Sequence, residues 1–164
     1  MKLLMLTSHI GTGGITRYVL NLAQGLAERG HRVYVGSRGG AWEPRFRERR
    51  IELVGLPLKT KFIFSPRVFR SFSMLRRFLD RERVDLIHAN TRVTQFLAML
   101  LSRSIGVPYV STFHGHYRPR LFRRIFKCAG FRTIAISQDV ALHLERDLHI
   151  PREKNTQADA LANQ

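Results

Sequence analysis

The sequence predicts an α/β protein built on a doubly wound, mostly parallel Rossmann-like sheet with helices on both faces. Three observations carry that prediction. Apolar runs of strand length alternate with amphipathic stretches of helix length, the runs end on glycines or small polar residues, and the first leads through "SHIGTGG" into a long helical pattern. Such alternation implies right-handed crossovers, and ligands of these sheets bind beyond the carboxyl ends of the strands, where strand order reverses. At 164 residues with 44% hydrophobic side chains, one compact domain fits and a second full domain does not.

KLLMLTS (2–8) reads as a buried parallel strand. Ile15, Val19, Leu22, Ala23 and Leu26 then recur at helical spacing, with Gly30 where a left-handed C-terminal cap belongs. HRVYVGS (31–37) and RIELVGLP (50–57) are the second and third strands, joined through a helical RFRERR segment. Over 66–83, Pro66 suits a first helical turn, and Val68, Phe69, Phe72, Leu75, Phe78 and Leu79 form an apolar stripe. VDLIHA (84–89) is strand four, 93–104 a helix, VPYVSTFHG (107–115) strand five, 118–129 a helix, FRTIAIS (131–137) strand six and 138–148 a final helix. The strand ends expected to share one rim are 8–14, 37–40, 88–92, 112–116 and Ser137.

Composition narrows the setting. The short N-terminal apolar run lacks a cleavage pattern, and the longest apolar region is interrupted by His88, Asn90, Arg92 and Gln95, so neither a secretory signal nor a spanning helix is predicted. The single cysteine, Cys128, has no disulfide partner, which suits a reducing cytoplasm. The net charge of +16 is a statement about partners, and residues 41–83 and 117–132 hold most of the excess.

Gly11, Gly13 and Gly14 allow close backbone approach at a helix N-terminus, a setting for phosphate or carboxylate, although a plain tight turn has the same composition. The dinucleotide fingerprint fails at Thr16, and strand two ends in Gly36, Ser37 and Arg38 with no ribose-binding acid. Because Arg38 can face a 2′-phosphate, an NADP-binding Rossmann domain stays as an alternative.

Four segments in order, "GGITRYVLNLAQGLAERGHRVYV" (13–35), "DLIHANT" (85–91), "GVPYVSTFHG" (106–115) and "IAISQDVALHL" (134–144), together resemble the N-terminal, acceptor-side domain of family 4 glycosyltransferases of the GT-B fold. The resemblance spans residues 1–154 and implies transfer from a nucleotide-sugar donor to a glycan or lipid-linked acceptor, with no other cofactor. It implies that Gly13 and Gly14 approach the donor diphosphate, that His114 faces the transferred sugar as the catalytic residue, and that Asn90, Arg92 and His116 contact the acceptor. A capping role for His114 is the alternative from strand position alone. His88 reads as a buried-strand residue, and His9, His31, His143 and His149 have no catalytic role. "HGH" (114–116) has no third ligand at suitable spacing, so no metal is expected. Nucleophile-elbow and Walker patterns are also missing, which disfavours hydrolase and kinase chemistry.

Relatives continue into an apolar strand and an Asn-Gly turn where this sequence reads NTQADALANQ, so residues 155–164 are expected to be an atypical polar tail. On that reading the chain stops before a donor-binding domain and is inactive by itself; a truncated gene, a frameshifted end or an excised domain gives this pattern, and a separate donor-domain chain is one candidate partner.

The two basic blocks interleave arginine with apolar side chains: Arg70, Arg76 and Arg77 in the first, Arg120, Arg123 and Arg124 in the second. Such amphipathic patterns suit an anionic membrane surface, predicting a cytoplasmic protein peripheral to the inner face, although a core-packed helix with a solvated basic face shares the pattern. A basic nucleic-acid-binding protein is the main non-enzyme alternative. It is disfavoured because the aromatics follow helical stripes and no recognition motif accompanies the charge.

Overall fold

The computed structural model describes residues 1–116, 125–151 and 155–157. Seven strands form one sheet in the order β3-β2-β1-β4-β5-β6-β7, every neighbouring pair parallel. They are β1 (Lys2–Leu6), β2 (Arg32–Ser37), β3 (Glu52–Gly55), β4 (Leu86–Ala89), β5 (Tyr109–Phe113), β6 (Arg132–Ala135) and β7 (Asn155–Gln157). Helices α1 (Gly14–Glu28), α2 (Glu43–Glu48), α3 (Pro66–Glu82), α4 (Arg92–Ile105) and α5 (Gln138–Leu148) connect them. The doubly wound reading of the sequence is therefore correct, and strand order reverses between β1 and β4.

Period-two alternation sorts β1 between two cores. Leu4 and Leu6 join Val68, Leu75 and Leu79 of α3 and Val93, Phe96 and Leu97 of α4 on one face. Leu3 and Met5 join Val19, Leu20 and Ala23 of α1 and Phe46 of α2 on the other. A third cluster sets Val140, Ala141, Leu144 and Leu148 of α5 against Phe113 and Ala135. Each buried Leu or Val contributes about 1.5–3 kcal/mol, which is why a four-residue strand such as β4 holds its place.

The first helix starts at a glycine turn and stops where Gly30 adopts φ 80°. Helix α3 begins under Ser65, whose Oγ accepts from the Arg67 N–H at 3.4 Å, and α4 ends at left-handed Gly106.

Three expectations need correction or extension. The helix predicted to reach Ala129 ends earlier: Ile125 is helical, Phe126–Ala129 are not, and Cys128 turns at φ 52°; residues 117–124 lie outside the described residues. The left-handed backbone at Cys128 cannot continue a right-handed helix, and its thiol lies 3.3 Å from the Phe126 carbonyl. Phe69, placed in the apolar stripe of α3, is 48% exposed, because the stripe is narrower than its apolar residues and only Val68, Leu75 and Leu79 among them are fully buried. Finally, the polar Asn155–Gln157 adds an edge strand to β6, formed through backbone pairing that side-chain pattern does not report.

Candidate functional site

The loops after β1, β2, β4 and β5 open on one rim, as parallel strands require. After β1, Thr12, Gly13 and Gly14 line a cleft of about 280 Å³ with Thr7, Thr16 and Thr91. Gly13 stands at φ 157°, ψ 165°, a region that glycine occupies almost alone, and space around both glycines is open. Among the described residues no side chain caps α1, and its first turn holds no acidic residue, so the positive end of the helix faces the cleft. The turn is supported from β2: Ile10 N–H donates to the Gly39 carbonyl at 3.2 Å and Trp42 N–H to the Ile10 carbonyl at 3.0 Å. Gly40 makes that approach possible, since a Cβ there would lie 2.6 Å from the Ile10 carbonyl carbon.

Beyond the switch point a polar network lies beneath the rim. Ile87 and Ala89 face the α3–α4 core, so alternation turns His88 toward α1. His88 is buried, and its Nε2 meets Thr112 Oγ1 at 2.7 Å. Tyr18 of α1 brings its hydroxyl to the same Oγ1 at 3.2 Å, while Gln95 Nε2 donates to the Thr112 carbonyl at 3.1 Å. One residue past β5, His114 packs edge-on against the Tyr18 ring at 4.9 Å between centroids. Because Tyr18 lies one turn into α1, this contact puts His114 on the glycine-turn side of the rim.

His114 Nε2 is 3.4 Å from Asn90 Oδ1, and Asn90 Nδ2 points at the Leu6 and His88 carbonyls, each at 3.4 Å. Two carbonyl acceptors orient the amide with Oδ1 toward the imidazole, so the network assigns the proton of His114 to Nε2 and the lone pair to Nδ1. Burial lowers the His114 pKa to about 4. Burial, and secondarily the nearby His114, lowers His88 to about 4 as well. Both imidazoles are neutral at pH 7. His114 is thus suited to accept a hydrogen bond from a hydroxyl.

The remaining predicted site residues separate. Asn90, expected on the acceptor, is 1% exposed and stands behind His114. Arg92 is the first residue of α4 and half-buried. His116 is exposed, with Nε2 3.0 Å from Asp139 of α5 and its ring 5.0 Å from that of His143, so the two histidines of "HGH" turn to different partners. Arg70, Arg76 and Arg77 are exposed on α3, and Arg120, Arg123 and Arg124 lie outside the described residues. No helix among the described residues is long and apolar enough to cross a membrane. Sequence reasoning missed Tyr18 and Gln95, and it placed Gly40 and Thr112 on the rim without their partners; the alternation that puts His88, Thr112 and His114 on one sheet face was the available signal.

The sequence profile of glycosyltransferase family 4 matches residues 12–156. The chain belongs to glycosyltransferase family 4. Among relatives of this family 4 chain, one component of human phosphatidylinositol N-acetylglucosaminyltransferase is 31% identical over 111 residues, covering 62% of the chain and 22% of that protein. A glycosyltransferase from Rickettsia africae superposes with a TM-score of 0.81 at 18% identity, covering 95% of this chain and 42% of its own. Anabaena HepE, solved with UDP and glucose, superposes at 0.73 and 19% identity over 96% and 43%. The family 4 chain thus has the fold of a GT-B domain and spans less than half the length of these structures and about a fifth of the human relative.

Proposed function

We propose that this chain is the acceptor-binding half of a glycosyltransferase that moves a sugar from a nucleotide-sugar donor to a glycan or lipid-linked acceptor. The observation that carries the reading is a neutral His114, oriented by Asn90 and Tyr18, on the same rim as the uncapped glycine turn of α1. In the reaction, the acceptor hydroxyl oxygen bonds to the anomeric carbon while the bond to the diphosphate oxygen breaks; the electron pair of that bond leaves with the diphosphate, and a diphosphate oxygen takes up the proton that the hydroxyl loses. The turn at Gly13 and Gly14 offers the helix's positive end where that charge develops, and His114 Nδ1 accepts from a hydroxyl of the transferred sugar. Arg92 and His116 flank the acceptor path. Apart from donor and acceptor, no cofactor enters this scheme, and the base and diphosphate grips come from a second domain, joined to this one or on a separate chain.

Transfer requires donor and acceptor to be held in line, which supplies about 7–11 kcal/mol of the barrier. Residues 1–164 by themselves are therefore expected to give no measurable turnover and to bind UDP-sugars no more tightly than about millimolar, or −4 kcal/mol. Calorimetric titration of the chain and of Gly14→Asp tests this. The variant should lose the weak binding while keeping its fold, and micromolar affinity in either protein contradicts the half-site reading.

The reading extends to the inner membrane face, supported by exposed Phe69 and Met74 beside Arg70, Arg76 and Arg77 on α3. Co-sedimentation with anionic vesicles should fall when Arg70, Arg76 and Arg77 become glutamine. Equal sedimentation by that triple variant removes α3 from the proposal.

A further inference from the structure

On the other side of His9 and Thr91 from the glycine cleft, a separate pocket of about 550 Å³ opens over the carboxyl ends of β1, β2 and β3. Its charged lining is cationic: Arg38 follows β2, and Lys59 and Lys61 follow β3, with hydroxyls from Ser8, Thr60 and Thr91 between them and no carboxylate among the described residues. Elsewhere the exposed arginines Arg32, Arg47 and Arg81 pair with Glu52, Glu43 and Glu82. Arg38, Lys59 and Lys61 have no acidic partner among the described residues.

The lysine loop is held in place from both ends. Leu56 N–H donates to the Ser37 carbonyl at 2.8 Å, and Leu58 and Thr60 N–H groups donate two residues back, each at 2.8 Å. Thr60 Oγ1 accepts from Phe62 N–H at 3.1 Å, and Arg67 Nη1 ties the Lys59 carbonyl to α3 at 2.7 Å. Leu58 and Ile63 anchor the loop in the core at 1% and 8% exposure. On the facing wall Arg38 N–H donates to the Ser8 carbonyl at 3.3 Å, and Ser8 Oγ meets Thr91 Oγ1 at 2.8 Å. Like charges kept around one pocket repel each other, and an anion with several oxygens relieves that repulsion while using the hydroxyls.

We propose that the pocket lined by Arg38, Lys59 and Lys61 binds a phosphate group carried by the acceptor. The assignment to the acceptor rests on the transferase reading above; the phosphate site itself does not. Because this pocket and the glycine cleft share His9 and Thr91, one ligand can span them, its phosphate in the pocket and the hydroxyl to be glycosylated toward the cleft and His114. Lys59, Lys61 and the neighbouring Phe62 are exposed, so a phosphate on a soluble sugar and one in a lipid headgroup can both reach the pocket.

The test follows backbone amide shifts of the full 164-residue chain during titration with inorganic phosphate, methyl phosphate and dimethyl phosphate, at constant ionic strength, with acetate and chloride as controls. Saturable shifts are expected at Ser8, His9, Arg38 and residues 59–61, weakened ~tenfold in Lys59→Gln/Lys61→Gln while the folded spectrum persists. Shifts confined to Gly13 and Gly14, equal affinity for acetate, or an unchanged double variant overturns the site. Phosphatidylglycerol vesicles, compared with phosphatidylcholine, separate the sources: lysine-dependent binding to the former together with dimethyl phosphate binding assigns a lipid headgroup, and tight methyl phosphate binding without vesicle binding assigns a soluble phosphosugar. UDP-glucose titrated separately keeps the two readings apart. Phosphate shifts at the lysines without UDP shifts at the glycine turn leave the pocket standing and count against the transferase reading, and the reverse pattern counts against the pocket.

Discussion

At the head of α1 no side chain among the described residues caps the helix and no acidic residue stands in the first turn, whereas at the head of α5 Ser137 Oγ accepts from Val140 N–H at 3.2 Å and Asp139 stands in the first turn. Both helices begin on the same rim of one sheet. Between them, His88, Thr112, Tyr18 and Gln95 satisfy one another. The β1 side keeps a helix end open and fixes its backbone from behind, while the β5–β6 side closes its donors with side chains. An open helix end is a place for an anionic ligand to complete the hydrogen bonding, and a closed one is a place for stability.

The largest effect on this contrast should come from Gly40, the support of the open side. At φ 156°, and with an added Cβ 2.7 Å from Gly11 N, Gly40→Ala must displace backbone and should cost about 2–4 kcal/mol. Gly14→Ala meets open space and should leave stability within ~0.5 kcal/mol. Urea denaturation of the two variants makes the comparison, and similar losses would mean that the turn is not held from β2.

The closed side should respond instead to pH. His88 has a folded pKa of about 4 against an ordinary value near 6.5, so the unfolded chain binds the extra proton between those limits. Stability is then fully present above about pH 6.5 and is lost as pH falls toward 4, by up to ~3 kcal/mol for this one group. His114 adds to the same limb in the same direction. In a series of denaturation curves, His88→Gln should flatten the slope in that window, and an unchanged slope would show that the buried network does not resist protonation.

The sequence carried most of the fold because buried parallel strands and amphipathic helices differ in period, and the runs at 2–6, 32–37 and 109–113 are unambiguous. It carried the place of the turn at Gly13 and Gly14 as well, since a glycine cluster between strand and helix is a local signal. Asn90 illustrates the other case. Its amide, conspicuous in a rim loop, is turned inward by the Leu6 carbonyl, a residue 84 positions away. Thr112 and Tyr18 meet across 94 positions, and nothing local to either marks them as partners. Gly40 escaped for a similar reason, because its need to be glycine arises from Ile10 and Gly11 rather than from its own turn. The short β7 depends on the edge that β6 offers, and the chain leaves the helical path before Cys128, whose backbone is left-handed; neither is a property of hydrophobic pattern.

The smallest predicted effect isolates the cap itself. Ser137→Ala removes the side-chain acceptor that the described residues give to the first turn of α5, a change worth ~1 kcal/mol in typical helices. Asp139 remains beside His116 at 3.0 Å, but with side chains 52% and 79% exposed that pair adds about 0–1 kcal/mol and cannot replace the lost bond. For a chain of this size the thermal midpoint should fall by about 2–4 °C. The variant's affinity for nucleotide sugar should not change, because the bond lies on the closed side. A midpoint equal to that of the parent chain would mean that water serves α5's first N–H groups as well as Ser137 does. The open head of α1 would then differ from α5 in sequence but not in energy, and its claim to a ligand would rest on Gly13's conformation and Gly40's support alone.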